Sequence, residues 1–216
     1  MSCPLCGDLH GWSRVVDSAG VLRLKRCECW SRDHRYADGL PQEFRGAILD
    51  DWSNNYRHAM NAAGEFLQSA VSDIPGDRDL YLCGSVGTGK TRLACAVLNA
   101  YHAVKRDGKF RRVPWVLIKL QPSGGSDVDL LRPLLSAPLL VLDDLGAERE
   151  TATDYTRRTL LAIAEQRRDV GFRTIWTSNL TPSEVGDHMG DDRLMSRLVG
   201  WCDVVGMQGA DRRLAG

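Results

Sequence analysis

The run Gly84-Ser85-Val86-Gly87-Thr88-Gly89-Lys90-Thr91 constrains this chain more than any other feature. Its pattern, Gly-x-x-x-x-Gly-Lys-Thr, cradles phosphate where a β-strand ends and a helix begins. Leu80-Tyr81-Leu82-Cys83 supplies the apolar strand before it. After it, Leu93, Ala94, Val97, Leu98 and Tyr101 recur at helical spacing and predict a helix from about Lys90 to Arg106. Glycine lets successive backbone N–H groups point inward without a Cβ in the way. The helix N-terminus adds a partial positive charge.

The strand–helix alternation repeats along the chain. A helix is expected from about Tyr56 to Val71, with Ala59, Ala63, Phe66, Leu67 and Ala70 on one side. Val113-Pro114-Trp115-Val116-Leu117-Ile118 reads as a second strand, and Asp127 to Leu135 as a helix containing the kink-prone Pro133. Leu139 to Leu142 is a fully apolar strand, followed by a helix from about Asp154 to Arg168. Arg173 to Thr177 reads as a fourth strand and, after short helices, Trp201 to Val205 as a fifth. Apolar strands separated by helices predict an α/β fold, a five-stranded parallel sheet covered on both faces. A length of 216 residues allows one such core and a small extra module.

Two further segments carry chemistry. Asp143 and Asp144 follow the apolar Leu139–Leu142 strand, whose carboxyl end opens on the crevice that the glycine-rich loop also faces. In that position Lys90 contacts the β- and γ-phosphates, Thr91 and Asp143 hold Mg²⁺, and Asp144 orients an attacking water. The alternative is that the two aspartates cap the next helix. Asn179, closing Trp176-Thr177-Ser178-Asn179, has an amide suited to bonding both water and γ-phosphate. It also reads as a plain turn former ahead of Thr181-Pro182.

Cysteine usage sets the first part of the chain apart. Cys3, Cys6, Cys27 and Cys29 crowd the N-terminus, whereas Cys83, Cys95 and Cys202 sit singly among apolar neighbours. Gly11 to Val16, a turn at Asp17-Ser18-Ala19-Gly20, and Val21 to Arg26 read as a hairpin that returns the chain to its start. Four thiolates brought together suit Zn²⁺, and metal binding can fold a segment with too small an apolar core. His10 and His34 are alternative ligands, and two disulfides are the competing reading. Residues 1–35 are therefore expected to form a zinc-binding module and residues 36–54 a linker. Phe44, Ile48, Leu49 and Trp52 would dock that linker onto the domain at 55–216.

Acidic and basic residues balance at 28 each, so bulk charge indicates neither a nucleic-acid nor a membrane partner. Local patches remain: Lys105, Arg106, Lys109, Arg111 and Arg112 beyond the first helix, and Arg23, Lys25 and Arg26 on the hairpin. No apolar stretch approaches the roughly 20 residues of a bilayer span, and the start shows no leader pattern. A cytoplasmic location is expected.

The loop Gly84–Thr91, the run Leu139-Leu140-Val141-Leu142-Asp143-Asp144-Leu145-Gly146, Thr177-Ser178-Asn179-Leu180 and Gly39-Leu40-Pro41…Phe44 together resemble the AAA+ P-loop ATPases of the DnaC/IstB-like class. That class contains replicative-helicase loaders and transposition helpers. The resemblance covers about residues 36–213. It implies an ATPase using ATP and Mg²⁺, with Asp143 and Asp144 as the Walker B pair and Asn179 as first sensor. It also implies Arg193 as an arginine finger reaching a neighbouring subunit, with Arg197 the second candidate, and Arg212 contacting ATP in cis. Many AAA+ enzymes carry Glu where this chain has Asp144, which implies slow or partner-stimulated hydrolysis. Few residues follow Val199, so the helical lid of larger members is expected to be absent or minimal. The implied partners are a DnaB-like replicative helicase, single-stranded DNA and further copies of the ATPase domain. A transposition helper and an ATP-switched DNA-binding adaptor with negligible turnover are the alternatives.

Overall fold

The structure is a computed structural model describing residues 12–16, 22–26, 36–49, 52, 56–72, 78–105, 107–121, 128–147, 154–190, 192–209 and 211. Near the N-terminus, β1 (Trp12–Val16) and β2 (Leu22–Arg26) form an antiparallel pair running from Trp12↔Arg26 to Val16↔Leu22. The two antiparallel strands expected there are present. Trp12 and Arg26, the strand ends nearest in sequence to the two cysteine pairs, are neighbours. The four cysteines, His10 and His34 lie outside the described residues.

The main sheet has five strands: β3 (Asp79–Cys83), β4 (Gly108–Arg112), β5 (Leu139–Leu145), β6 (Arg173–Ser178) and β7 (Cys202–Gly206). Their order is β4-β5-β6-β3-β7, and every pairing is parallel. Among the described residues seven α-helices cover it: α1 (Arg57–Val71), α2 (Lys90–Lys105), α3 (Val113–Leu120), α4 (Val128–Ser136), α5 (Asp154–Asp169), α6 (Pro182–Met189) and α7 (Asp192–Trp201).

β3 and β5 carry long apolar runs because both faces of the sheet are buried at its centre. Period-two alternation divides the strands between two cores. Leu80, Leu82, Leu139, Val141, Ile175 and Val205 pack with α1 and α2. Tyr81, Cys83, Leu140, Leu142, Trp176 and Cys202 pack with residues of α3 to α7, among them Val116, Leu134, Ile163, Val185 and Leu198. Each fully buried Leu, Ile or Val contributes roughly 1.5–3 kcal/mol, so the sheet centre is the firmest part of the fold.

One expected strand is wrong. Val113–Ile118 is helical, and the strand is the preceding Gly108–Arg112. Pro114 lies in the first turn of α3, where its missing N–H costs nothing. The apolar run that looked like a buried strand is the inner face of a short helix, with Val113, Val116, Leu117 and Leu120 buried. β4 shows only alternating burial in its polar sequence.

Residues 36–49 pack closely on the sheet and α2. Leu40, Ala47 and Leu49 are buried in the α1/α2 core, with Phe44 and Trp52 against it. Asp38 forms a parallel bridge to Lys109, and its carbonyl accepts the Phe110 N–H at 2.8 Å. The buried Asn99 amide on α2 donates to the carbonyls of Phe44 (3.0 Å) and Ala47 (3.1 Å). These bonds leave Lys109 and Arg111 facing the Asp38 carboxylate, at 3.8 and 2.6 Å. Two of the five basic residues expected to form a patch are thereby paired within the chain.

At the amino end of the sheet, Arg167 on α5 is fully buried. It donates to the Thr174 hydroxyl (3.0 Å) and to the carbonyls of Leu134, Ala137 and Arg173 at 2.5–2.8 Å. Asp79 alongside accepts the Thr174 N–H at 2.8 Å. Burial pushes its carboxyl up to about 6, against the pull of that bond and of Arg167 and Arg173.

Candidate nucleotide-binding site

The carboxyl ends of β3, β5 and β6 meet at a cleft of about 570 Å³. Strand β3 delivers the glycine-rich loop. Gly84, Gly87 and Gly89 have φ of +137°, +79° and +97°, values that L side chains rarely adopt. A Cβ at Gly84 would collide with the Met207 carbonyl, and one at Gly87 with the Asp211 carboxylate. The loop is closed by the Thr88 hydroxyl, which donates to the Ser85 carbonyl at 2.9 Å. The Lys90 ammonium donates to the Gly84 and Ser85 carbonyls, 2.8 Å each, and so lies folded back against the loop.

Strand β5 delivers the acids. Asp143 is 1% exposed. Its Oδ1 accepts from the Thr91 hydroxyl at 2.8 Å and the Thr177 hydroxyl at 2.6 Å, while Arg112 Nε lies 4.0 Å from its Oδ2. Burial pushes its pKa above the ordinary carboxylate range, and the Asp144 charge adds to the rise. The Thr177 and Thr91 bonds and Arg112 oppose it.

Successive residues of a strand point to opposite faces, yet Asp143 and Asp144 both line the cleft. The structure resolves this with an irregularity in the β5–β6 ladder between Leu142 and Leu145. Asp144 has φ +62°, and its N–H donates to the Thr177 hydroxyl at 3.1 Å. Thr177 therefore serves both aspartates. Beyond it, the Ser178 hydroxyl donates to the Leu145 carbonyl (2.6 Å) and accepts the Leu180 N–H (3.0 Å). These bonds fix the turn that places the exposed Asn179 on the cleft.

Thr91 and Asp143 in mutual contact form a corner of hard oxygen ligands suited to Mg²⁺. Beside a lysine and a loop of positive-φ glycines, that corner fits a magnesium nucleotide. The remaining expected residues lie elsewhere. Arg193 is exposed on the first turn of α7. Arg197 pairs with Glu165 and lies 5.9 Å from the Trp201 ring centre. Arg212 is outside the described residues. Among the described residues, no group of three or more His, Cys, Asp and Glu is placed to hold a metal.

Four contributors were not read as site residues. Thr177 looked like one polar residue of a strand end, although a hydroxyl on a fully buried strand needs a buried partner. Arg112 was counted with a surface patch. Glu43 and Phe44 reach the cleft from the segment read as a linker.

A parallel five-stranded sheet with a phosphate loop after one strand, paired aspartates after a second and a polar turn after a third defines a P-loop nucleotide-binding protein of the AAA+ class. Residues 48–215 match the family described as IstB-like ATP binding protein, and the chain belongs to that family. It is 27% identical to the replicative helicase loader DnaI of Bacillus subtilis (strain 168), over 81% of this chain and 60% of that protein. The chain thus spans less than two thirds of that relative. It is 33% identical to the putative insertion sequence ATP-binding protein y4pL of Sinorhizobium fredii (strain NBRC 101917 / NGR234), over 73% of this chain and 76% of that one. Among solved structures, the DnaC helicase loader superposes with a TM-score of 0.65 at 25% identity, covering 78% of this chain and 100% of that one. DnaI gives 0.69 at 25% identity, covering 80% and 97%.

Proposed function

We propose that this chain is an ATP-hydrolysing loader that binds a hexameric replicative helicase and helps to place it on single-stranded DNA. The observation that carries the enzymatic half is the convergence of Lys90, Thr91, Asp143, Asp144 and Asn179 on one cleft. The near-complete coverage of the DnaC and DnaI structures supports the loader half.

In this reading the loop amides and Lys90 bind the phosphates, and Thr91 and Asp143 hold Mg²⁺, which supplies charge neutralisation at the transferred phosphoryl group. Asp144 orients the attacking water, with Asn179 bonding to it. Asp144 is one methylene shorter than glutamate, so turnover is slow until a partner completes the site. Arg193, exposed at the start of α7, reaches the γ-phosphate of a neighbouring copy, and Arg212 contacts the nucleotide in cis. Cys3, Cys6, Cys27 and Cys29 bind Zn²⁺ in a module comprising residues 1–35, which grips the helicase. Residues 36–54 join it to the ATPase domain at 55–216.

The test is phosphate release from Mg-ATP, alone and with helicase and single-stranded DNA. Asp144→Asn should keep ATP binding and lose turnover. No turnover by the native chain under either condition would contradict the ATPase reading. If loading persists in Asp144→Asn, the chain is instead an ATP-switched adaptor. A second reading, a transposition helper, is favoured by the 33% identity to the insertion-sequence protein. It predicts co-purification with a transposase and none with the helicase.

A further inference from the structure

Arg112 has no part in the chemistry described so far. It is the last residue of β4 and pairs in register with Asp143 on β5, so its side chain leaves the sheet at the carboxyl edge, where it lines the nucleotide cleft. Asp143 Oδ1 is occupied by the Thr91 and Thr177 hydroxyls; Arg112 Nε stands 4.0 Å from the other oxygen. That separation is too long for a hydrogen bond. The side chain is also 55% exposed, so the ion pair holds it weakly. Its strand neighbours differ, since Lys109 and Arg111 are both engaged by Asp38 on the outer edge of the sheet. Of these three cations, Arg112 is the one directed into the cleft.

We propose that Arg112 is a nucleotide-binding residue that contacts the terminal phosphate of ATP from within its own chain and so distinguishes ATP from ADP. The assignment rests on the ATP-binding reading above. Thr91 and Asp143 would hold a metal that neutralises charge at the transferred phosphoryl group, so the Asp143 side of the cleft, where Arg112 stands, would face the terminal phosphate. ATP carries one more negative charge there than ADP, and a guanidinium on that side favours the triphosphate by direct Coulomb attraction. The planar fork of arginine also matches two phosphoryl oxygens at once, which an ammonium cannot do. This role is separate from those of Arg193, acting between subunits, and Arg212, beyond β7.

The experiment is equilibrium titration of the full chain with fluorescent ATP and ADP analogues in Mg²⁺, using native protein, Arg112→Ala, Arg112→Lys and Lys90→Ala. One charge-assisted hydrogen bond corresponds to about tenfold in affinity. Arg112→Ala should weaken the ATP analogue by about that factor and the ADP analogue by less than about twofold. Arg112→Lys should recover part of the difference, and it keeps the test decisive if the alanine variant does not fold. Equal losses for both nucleotides, or no loss for either, would overturn the assignment while leaving the ATP-binding reading intact, provided Lys90→Ala abolishes binding. Failure of the native chain to bind either nucleotide would overturn both.

Discussion

Asp143 is held inside the protein by two hydroxyls, one from the helix that follows the phosphate loop and one from the next strand. Thr177 is the more consequential of the two, because its oxygen also accepts the Asp144 N–H. Thr177→Val removes a hydrogen bond to a buried carboxylate, worth roughly 1.5–3 kcal/mol. We expect steady-state phosphate release to drop about tenfold or more, with ATP affinity much less affected and Thr177→Ser restoring most of the rate. A proportionate loss of affinity and turnover would instead mark Thr177 as a general support of the loop. Lys90, Thr91, Asp143 and Asp144 were legible in sequence because their spacing after apolar strands has few other uses. Thr177 was not, since its importance lies in an irregular ladder that puts adjacent aspartates on one face. No periodic pattern announces such an irregularity.

At the level of elements, the apolar strands announced themselves and the polar one did not. β3 and β5 are near-continuous hydrophobic runs and β6 centres on Ile175 and Trp176, legible because both sheet faces are covered. β4 reads Gly-Lys-Phe-Arg-Arg, and the more hydrophobic α3 after it took its place in the reading. Arg167 was equally hidden, since a basic residue late in a helix reads as a solvated one. Here it ties α5 to β6, to α4 and to the residue after it. Arg167→Met should lower stability by roughly 3–5 kcal/mol by breaking a buried charged network, measured by urea denaturation. Asp79 in the same network gives a pH signature. Its folded carboxyl titrates near 6, above its ordinary value of 3.8, so the native state holds a proton that the unfolded chain has released. Stability from this group is full below about pH 4, falls as pH rises towards 6 and is level above. Asp79→Asn should lack that component, so native stability relative to the variant shrinks between pH 4 and 6. Parallel stability curves across that window would contradict the assignment.

Over the whole molecule, the fold class was legible because strand–loop–helix repetition leaves few architectures open. What this ATP-binding protein acts upon was not, because partner recognition is a property of surfaces. The Arg23, Lys25 and Arg26 segment is shown as one strand of an antiparallel pair, and Lys109 and Arg111 are engaged within the chain. The N-terminal cysteines supply the handle for testing the partner. Under the proposed function, Cys3→Ser should reduce bound zinc, measured by atomic absorption, and weaken helicase binding while leaving ATP affinity unchanged. Unaltered helicase binding after zinc loss would separate the module from that task. The most direct measurement is size-exclusion chromatography of the purified chain with the replicative helicase of its own organism, with and without ATP. A loader co-elutes with the helicase in at least one of the two conditions; absence of a complex in both would contradict the assignment.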